Sequence, residues 1–332
     1  MKIVVFSAQG YDIHFLNMEN KQFNHELVYF SDALNQTTAV RAAGCPVVCA
    51  FVDDILDGPT LSKLAAQGTR LVALRSAGYN NVDLPSAQKL HMTVVRVPSY
   101  APEAIAEHAV ALMLTLNRSI HRAYNRVRDG NFDLNGLVGF NMAGKTVGIV
   151  GTGKIGTALA RIMKGFGCKL LGYDTYRNPA CMQLDMNYID LAFLLTQSDI
   201  VSLHCPLTSE TTHLINHRTV NLMKRGSMLI NTARGALIDT RAVIDALKTR
   251  DHLWYLGIDV YEGEGPLLFT DLSSTIIQDD VFERLTTLPN TVITGHQAFL
   301  TREALQQIAH VTLSNVSNFE TGRLNDENVV TS

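Results

Sequence analysis

The chain has 332 residues, 46% hydrophobic and 18% charged, the composition of a soluble globular protein long enough for two domains. Lysine and arginine (28) are mixed with aspartate and glutamate (31) for a net charge of −3, so no field gathers polyanions and nucleic acid is not an expected partner. No apolar run reaches the roughly 18 residues a membrane helix needs, which removes the membrane as a partner too.

The opening "MKIVVFSAQG" carries one lysine and a short apolar run, and it reads as a first strand rather than the longer core of a secretory signal. Five cysteines (Cys45, Cys49, Cys168, Cys181, Cys205) lie in or beside apolar segments without CxxC spacing. The expectation is reduced thiols and a cytoplasmic location. Short β-branched runs follow at intervals, "KIVVFS" (2–7), "PVVCAFV" (46–52), "LVALRS" (71–76) and "TVVRV" (93–97), with helix-like stretches such as "PTLSKLAAQG" (59–68) between them. Continuous apolar runs separated by helices describe parallel strands buried on both faces. A single long helix is predicted over 102–130, with Pro102 in its first turn, Gly130 at its exit and an apolar stripe from Ile105 to Val127. Such a helix suits a domain link, a subunit interface, or both.

A second strand series begins with "TVGIVG" (146–151) and continues through "KLLGYD" (169–174), "IVSLHC" (200–205), "SMLINTA" (227–233), "YLGIDV" (255–260) and "TVITGH" (291–296). Six strands with intervening helices fit the doubly wound dinucleotide-binding fold. A last helical stretch (302–322) crosses back to the first domain and makes it discontinuous. The expected boundaries are 1–100 with 300–332, and 101–299. The Asn- and Asp-rich tail "LNDENVVTS" is expected to be mobile.

Directly after "TVGIV" comes "GTGKIG", which puts Gly151, Gly153 and Gly156 in GxGxxG spacing ahead of a helix. The three glycines serve a tight turn, close approach of a pyrophosphate, and close packing of helix on strand. Asp174, eighteen residues after Gly156, is placed to accept from both ribose hydroxyls of NAD. Arg177 is the counter-signal, since an arginine could hold the 2′-phosphate of NADP.

Consecutive strands then end in charged residues. "SMLINTA" runs into Arg234, "YLGIDV" supplies Asp259 with Glu262 and Glu264 beyond it, and the last strand delivers His296. Ligands of open α/β sheets lie beyond the carboxyl ends of strands. Ketone reduction needs a hydride donor, a proton donor at the carbonyl oxygen and a cation for the acid group. A carboxylate beside a histidine favours its protonated form, and Glu264 is preferred to Glu262 for that place. A packed histidine is the bland alternative for His296. A metal role is disfavoured for His296, because a zinc site would want cysteine or histidine ligands and none cluster around it in the sequence.

In this order and spacing, "GTGKIG", "NTARGALID", "GIDVYEGE" and "TGHQAFLT" resemble the D-isomer-specific 2-hydroxyacid dehydrogenase family along nearly the whole chain. "RSAGYNNVDL" (75–84) and "APEAIAEHAVALMLTLNRSIHRAYNRVRDGNF" (101–132) are similar to its bacterial fermentative D-lactate branch. The resemblance implies two Rossmann-like domains, the first flavodoxin-like and substrate-binding, with the active site in the cleft between them and hinges near 100–101 and 297–301. It implies NADH-dependent reduction of pyruvate to D-lactate. Arg234 would bind the substrate carboxylate, His296 would be the acid/base, and Glu264 would hold its protonated form. Cofactor contacts would come from Gly151, Gly153, Lys154, Ile155, Gly156, Asp174, Cys205, Pro206, Thr211, Thr232, Ala233 and Asp259. Ala77, Gly78 and Tyr79 would offer backbone N–H groups to the substrate, Tyr100 would line the site, and Phe51 and Phe299 would form an aromatic wall near its methyl group. The apolar-faced 102–128 helix suggests a homodimer through the cofactor domain, and the resemblance leaves a homotetramer as the alternative.

Two rival readings remain. One is a sister reductase for branched or aromatic 2-keto acids. The other is an NAD(H)-sensing binding protein of the same fold, like transcriptional corepressors that keep the arginine, glutamate and histidine. The stretch "GEGPLLF" (263–269) is less charged than expected for the lactate branch, which puts in doubt only the loop after Glu264.

Overall fold

A computed structural model describes residues 1–330. The chain divides into two compact units, residues 1–101 with those from Leu300 onward, and Pro102–Phe299.

In the first unit, β1 (Lys2–Val5), β2 (Glu26–Tyr29), β3 (Val47–Ala50), β4 (Leu71–Leu74) and β5 (Thr93–Val95) pair in parallel in the order β2-β1-β3-β4-β5. This is the flavodoxin-like winding. Every residue of β3 and β4 is buried, which is why these strands read as unbroken apolar runs. The edge strand β2 is only partly buried, and it carries no such run. Helix Arg302–Glu320 packs on helix Gly10–Asn20 and on β4. Its Ala309, Leu313 and Val316 share a core with Ile3, Val5, Val47 and Leu71, so burial of that face returns the end of the chain to this unit. The tail is tied down rather than mobile: Val330 N donates to Val94 O (2.8 Å) and Asn328 Nδ2 to Asn315 Oδ1 (2.7 Å). Edge strand β5 offers the backbone groups that hold it. Thr331 and Ser332 of that tail lie outside the described residues.

The second unit contains β6 (Thr146–Val150), β7 (Lys169–Tyr173), β8 (Asn187–Tyr188), β9 (Ile200–Leu203), β10 (Ser227–Asn231), β11 (Leu253–Ile258) and β12 (Thr291–Ile293). They form a parallel sheet in the order β12-β11-β10-β9-β6-β7-β8. Winding reverses between β6 and β9, the crevice where doubly wound sheets hold ligands. The register aligns Val150, Leu203, Asn231, Ile258 and Ile293 in one row, so the loops that follow these strands leave from a common edge. Two-residue β8 is too short to give a sequence signal.

The predicted helix over 102–130 is two helices, Pro102–Arg118 and Ile120–Arg128, broken at Ser119 in the left-handed region (φ 50°). Asn117 explains the break, because its side chain donates to Phe140 O (2.8 Å) and accepts from Phe140 N (2.7 Å), locking the returning chain against the helix end. The first helix buries Ala106, Ala109, Leu112, Met113 and Leu116 in the core beside β10 and β11. The second buries nothing. No helix of the described residues is long and apolar enough to cross a membrane.

Candidate active site

The turn after β6 is built by close approach. Gly151 lies at φ +92°, and a Cβ there would come within 2.4 Å of Cys205 N. A Cβ on Gly156 would lie 2.1 Å from Gly151 O. Around Gly153, by contrast, nothing lies within 4 Å of the position a Cβ would take. Helix Lys154–Gly165 starts there without a side-chain cap, so the N–H groups of Lys154, Ile155 and Gly156 face an open cradle suited to an anion.

Asp174 follows β7. Its Oδ2 accepts from Thr152 N (2.6 Å) and Thr152 Oγ1 (3.1 Å), and Thr152 is itself held by Tyr188 OH (2.8 Å) and Asn178 Nδ2 (2.8 Å to Thr152 O). Partial burial works against the carboxylate's charge, but the bonds from Thr152 outweigh it and hold the carboxyl below its ordinary range. Arg177 is exposed and makes no ion pair among the described residues. Cys205 and Pro206 follow β9, where burial pushes the Cys205 thiol up to about 11. Thr211 Oγ1 closes the loop onto Pro206 O (2.7 Å). Ala233 N is taken by Asn231 Oδ1 (3.0 Å), whereas the buried Thr232 hydroxyl has no partner. An open anion cradle, a fixed carboxylate and an unspent hydroxyl along one sheet edge fit a dinucleotide.

Arg234 leaves the end of β10 half-buried, with Nη1 donating to Ala233 O (2.7 Å) and no carboxylate partner among the described residues. Gly235 makes this turn possible, since a Cβ there would collide with the Tyr261 carbonyl carbon at 2.1 Å. Beyond β11 the two candidate glutamates separate. Glu264 Oε1 stands 3.0 Å from His296 Nδ1 while its Oε2 accepts from Tyr261 N (2.9 Å). Glu262 is engaged by His213 Nε2 at 2.5 Å. Glu264, preferred to Glu262 from the sequence, is the one that stands beside His296, and the chain's turn at Tyr261 brings it there.

Asp259, expected among the cofactor contacts, follows β11 and also braces the turn that carries His296. It is 1% exposed, and its carboxylate accepts from Thr294 Oγ1, Gln297 N (2.9 Å) and Ala298 N (2.8 Å), with His108 Nε2 3.3 Å away. A carboxylate offers about four acceptor sites, and three of them are taken by these donors. Sequence reading missed His108 and Thr294. A histidine on the buried stripe of helix Pro102–Arg118 was the available signal. A cavity of about 620 Å³ adjoins His296 and Glu264, walled by Leu267, Leu268, Phe282 and Ile293.

The remaining expected substrate residues can be located within their own units. Phe51 follows β3, 7% exposed, with the Arg75 guanidinium 5.2 Å from its ring centre. After β4, Ser76 Oγ donates to Gly78 O (2.7 Å) and Arg96 Nη1 to Ala77 O (3.0 Å). No backbone bond among the described residues takes the N–H groups of Ala77, Gly78 or Tyr79. Tyr100 is half-buried, and Phe299, in the second unit, is buried.

Comparison with known proteins agrees with this arrangement. Residues 110–298 match the model of the D-isomer specific 2-hydroxyacid dehydrogenase NAD binding domain. The chain is 52% identical to D-lactate dehydrogenase of Escherichia coli over 322 residues, 97% of this chain and 98% of that one. The apo structure of the E. coli enzyme superposes with a TM-score of 0.91 over the whole of both chains at 50% identity. The pyruvate reductase of Chlamydomonas reinhardtii does so with a TM-score of 0.93 over 97% of each chain at 43% identity. The cradle after β6, the strand-end Arg234 and the His296–Glu264 pair thus stand in a chain that belongs to the D-isomer-specific 2-hydroxyacid dehydrogenase family of NAD-binding oxidoreductases.

Proposed function

We propose that the protein reduces pyruvate to D-lactate with NADH, reversibly, in fermentative metabolism. The His296–Glu264 pair carries this reading. Glu264 occupies Nδ1, so Nε2 is the nitrogen from which a proton reaches the substrate's carbonyl oxygen. Arg234 binds the substrate carboxylate by a forked pair of hydrogen bonds and polarises the ketone. Bound NADH supplies the hydride to the carbonyl carbon. Ketone, hydride and the His296 proton together yield the hydroxy acid, and histidine regains its proton from solvent.

Cofactor contacts are assigned to Gly151, Gly153, Lys154, Ile155, Gly156, Asp174, Cys205, Pro206, Thr211, Thr232, Ala233 and Asp259. The Asp174 carboxylate favours NADH over NADPH, because it accepts from ribose hydroxyls and repels a 2′-phosphate. Ala77, Gly78, Tyr100, Phe51 and Phe299 complete the substrate contacts, the two phenylalanines favouring a methyl-sized group. Assembly as a homodimer or homotetramer is supported by the apolar surface that helix Ile120–Arg128 leaves uncovered.

The test is NADH oxidation with pyruvate, 2-ketobutyrate, 2-ketoisocaproate and phenylpyruvate, followed by chiral assay of the product. Highest kcat/KM on pyruvate with D-lactate formed is expected, with activity lost in His296→Ala and Arg234→Ala. The apolar cavity beside His296 favours a second reading, a reductase for larger 2-keto acids, and preference for the bulky substrates would establish it. No turnover of any of them would point to an NAD(H)-sensing protein instead.

A further inference from the structure

His296 has a backbone conformation that a non-glycine residue rarely adopts, left-handed at φ 53°. Such a conformation persists only where the surroundings over-determine it. Here one residue gathers three consecutive N–H groups: His296 N donates to Asp259 O (2.8 Å), Gln297 N to Asp259 Oδ1 (2.9 Å) and Ala298 N to Asp259 Oδ2 (2.8 Å). Thr294 Oγ1 donates to the same carboxylate. His108 approaches from helix Pro102–Arg118, its Nε2 lying 2.9 Å from Thr294 Oγ1 and 3.3 Å from Asp259 Oδ1. The helix packs on β11 and β12, the strands that carry Asp259 and His296, so the imidazole ties the turn to a rigid element.

We propose that His108 is a positioning residue for the reaction: through Thr294 and Asp259 it holds the 294–298 turn in the shape that presents His296 to the substrate. This rests on the reading of His296 as the acid/base. The required species is an Nε2–H donor, which either the neutral Nε2–H tautomer or the imidazolium provides. Donating to the Thr294 hydroxyl orients that hydroxyl's own proton onto Asp259. A glutamine at 108 places its amide NH2 near the Nε2 position and keeps the donor; a leucine keeps bulk and removes it. In His108→Leu the acceptors remain and the turn can shift, moving His296 away from the carbonyl oxygen while the NADH cradle of Gly151–Gly156 is untouched.

The experiment compares wild type, His108→Leu, His108→Gln, Thr294→Val and His296→Ala for kcat with pyruvate, its solvent deuterium isotope effect, and NADH affinity by fluorescence. His108→Leu and Thr294→Val are expected to lose kcat on the order of tenfold or more, since small misplacements of reacting groups are costly. The isotope effect should rise in both, NADH affinity should stay near wild type, and His108→Gln should recover most of the rate. Wild-type kcat and isotope effect in both Thr294→Val and His108→Leu would overturn the proposal. So would a loss in His108→Leu that glutamine does not rescue and that NADH affinity shares. Should His108→Leu fail to fold, Thr294→Val decides alone by the same criteria. An inactive wild type, or a fully active His296→Ala, would overturn the acid/base reading itself, an outcome separate from intact His296 dependence with an indifferent His108.

Discussion

Asp54 is a buried carboxyl, 1% exposed, that accepts from Ser7 Oγ (2.7 Å), Leu34 N (2.6 Å) and Phe51 N (2.7 Å). Burial pushes it up from 3.8 to about 6, against the lowering effect of the backbone bonds. Because its folded value lies above the unfolded one, the folded state holds the proton more tightly. The stabilising contribution is therefore complete below about pH 4 and lost as pH rises through 6. Relative to Asp54→Asn, wild type should lose roughly 2 kcal/mol of unfolding free energy between pH 4 and pH 7. Urea titrations of both proteins at the two pH values measure this, and a pH-independent difference would refute it. Asp54 also holds the backbone of Phe51 (Phe51 N donates to Asp54 Oδ2, 2.7 Å), so the substitution reports on one of the two aromatic residues proposed for the methyl pocket.

At the scale of an element, the loop from β6 into helix Lys154–Gly165 separates folding from binding by which glycine is altered. A Cβ on Gly156 meets backbone at 2.1 Å, and overpacking of that kind costs about 1–3 kcal/mol. Gly156→Ala should therefore unfold several degrees lower, by roughly 2–4 °C for each kcal/mol in a domain of this size. Gly153→Ala meets nothing within 4 Å, so its melting temperature should match wild type while KM for NADH rises about tenfold or more through loss of close approach to the pyrophosphate. Thermal melts and NADH saturation curves for the two variants test the assignment. Equal NADH KM in Gly153→Ala and wild type would remove the cradle from the cofactor site.

For the whole molecule, the uncovered apolar surface is the feature that a single chain leaves unsatisfied. Ile120, Tyr124 and Val127 on the second half of the broken helix are more than 50% exposed, and Phe132, Leu134 and Val138 after it are 73%, 77% and 87% exposed. Contiguous apolar surface of this kind marks an interaction site. If the proposed homo-oligomer uses this surface, Leu134→Glu combined with Val138→Glu should give monomer in size-exclusion chromatography with light scattering where wild type gives a dimer or tetramer. Retention of the wild-type mass would place the interface elsewhere. The same residues explain why the helix over 102–130 reads as continuous: the apolar period runs through Ser119, although only the first half is covered by the chain's own core.

The linear order of residues was enough to determine the α/β class, the strand series, the glycine cradle with Asp174, and the delivery of Arg234, Glu264 and His296 to successive strand ends. These features are local: apolar runs follow from strands buried on both faces, and a nucleotide loop needs its glycines at set spacing. Only the tertiary structure decided that Glu262 pairs with His213, that Asp259 braces the 294–298 turn, that Asn117 breaks the long helix, and that the tail joins β5. Each of these depends on the direction of a hydrogen bond between segments distant in sequence. Periodicity and spacing carry the face a residue occupies, but not which donor stands within 3 Å of it.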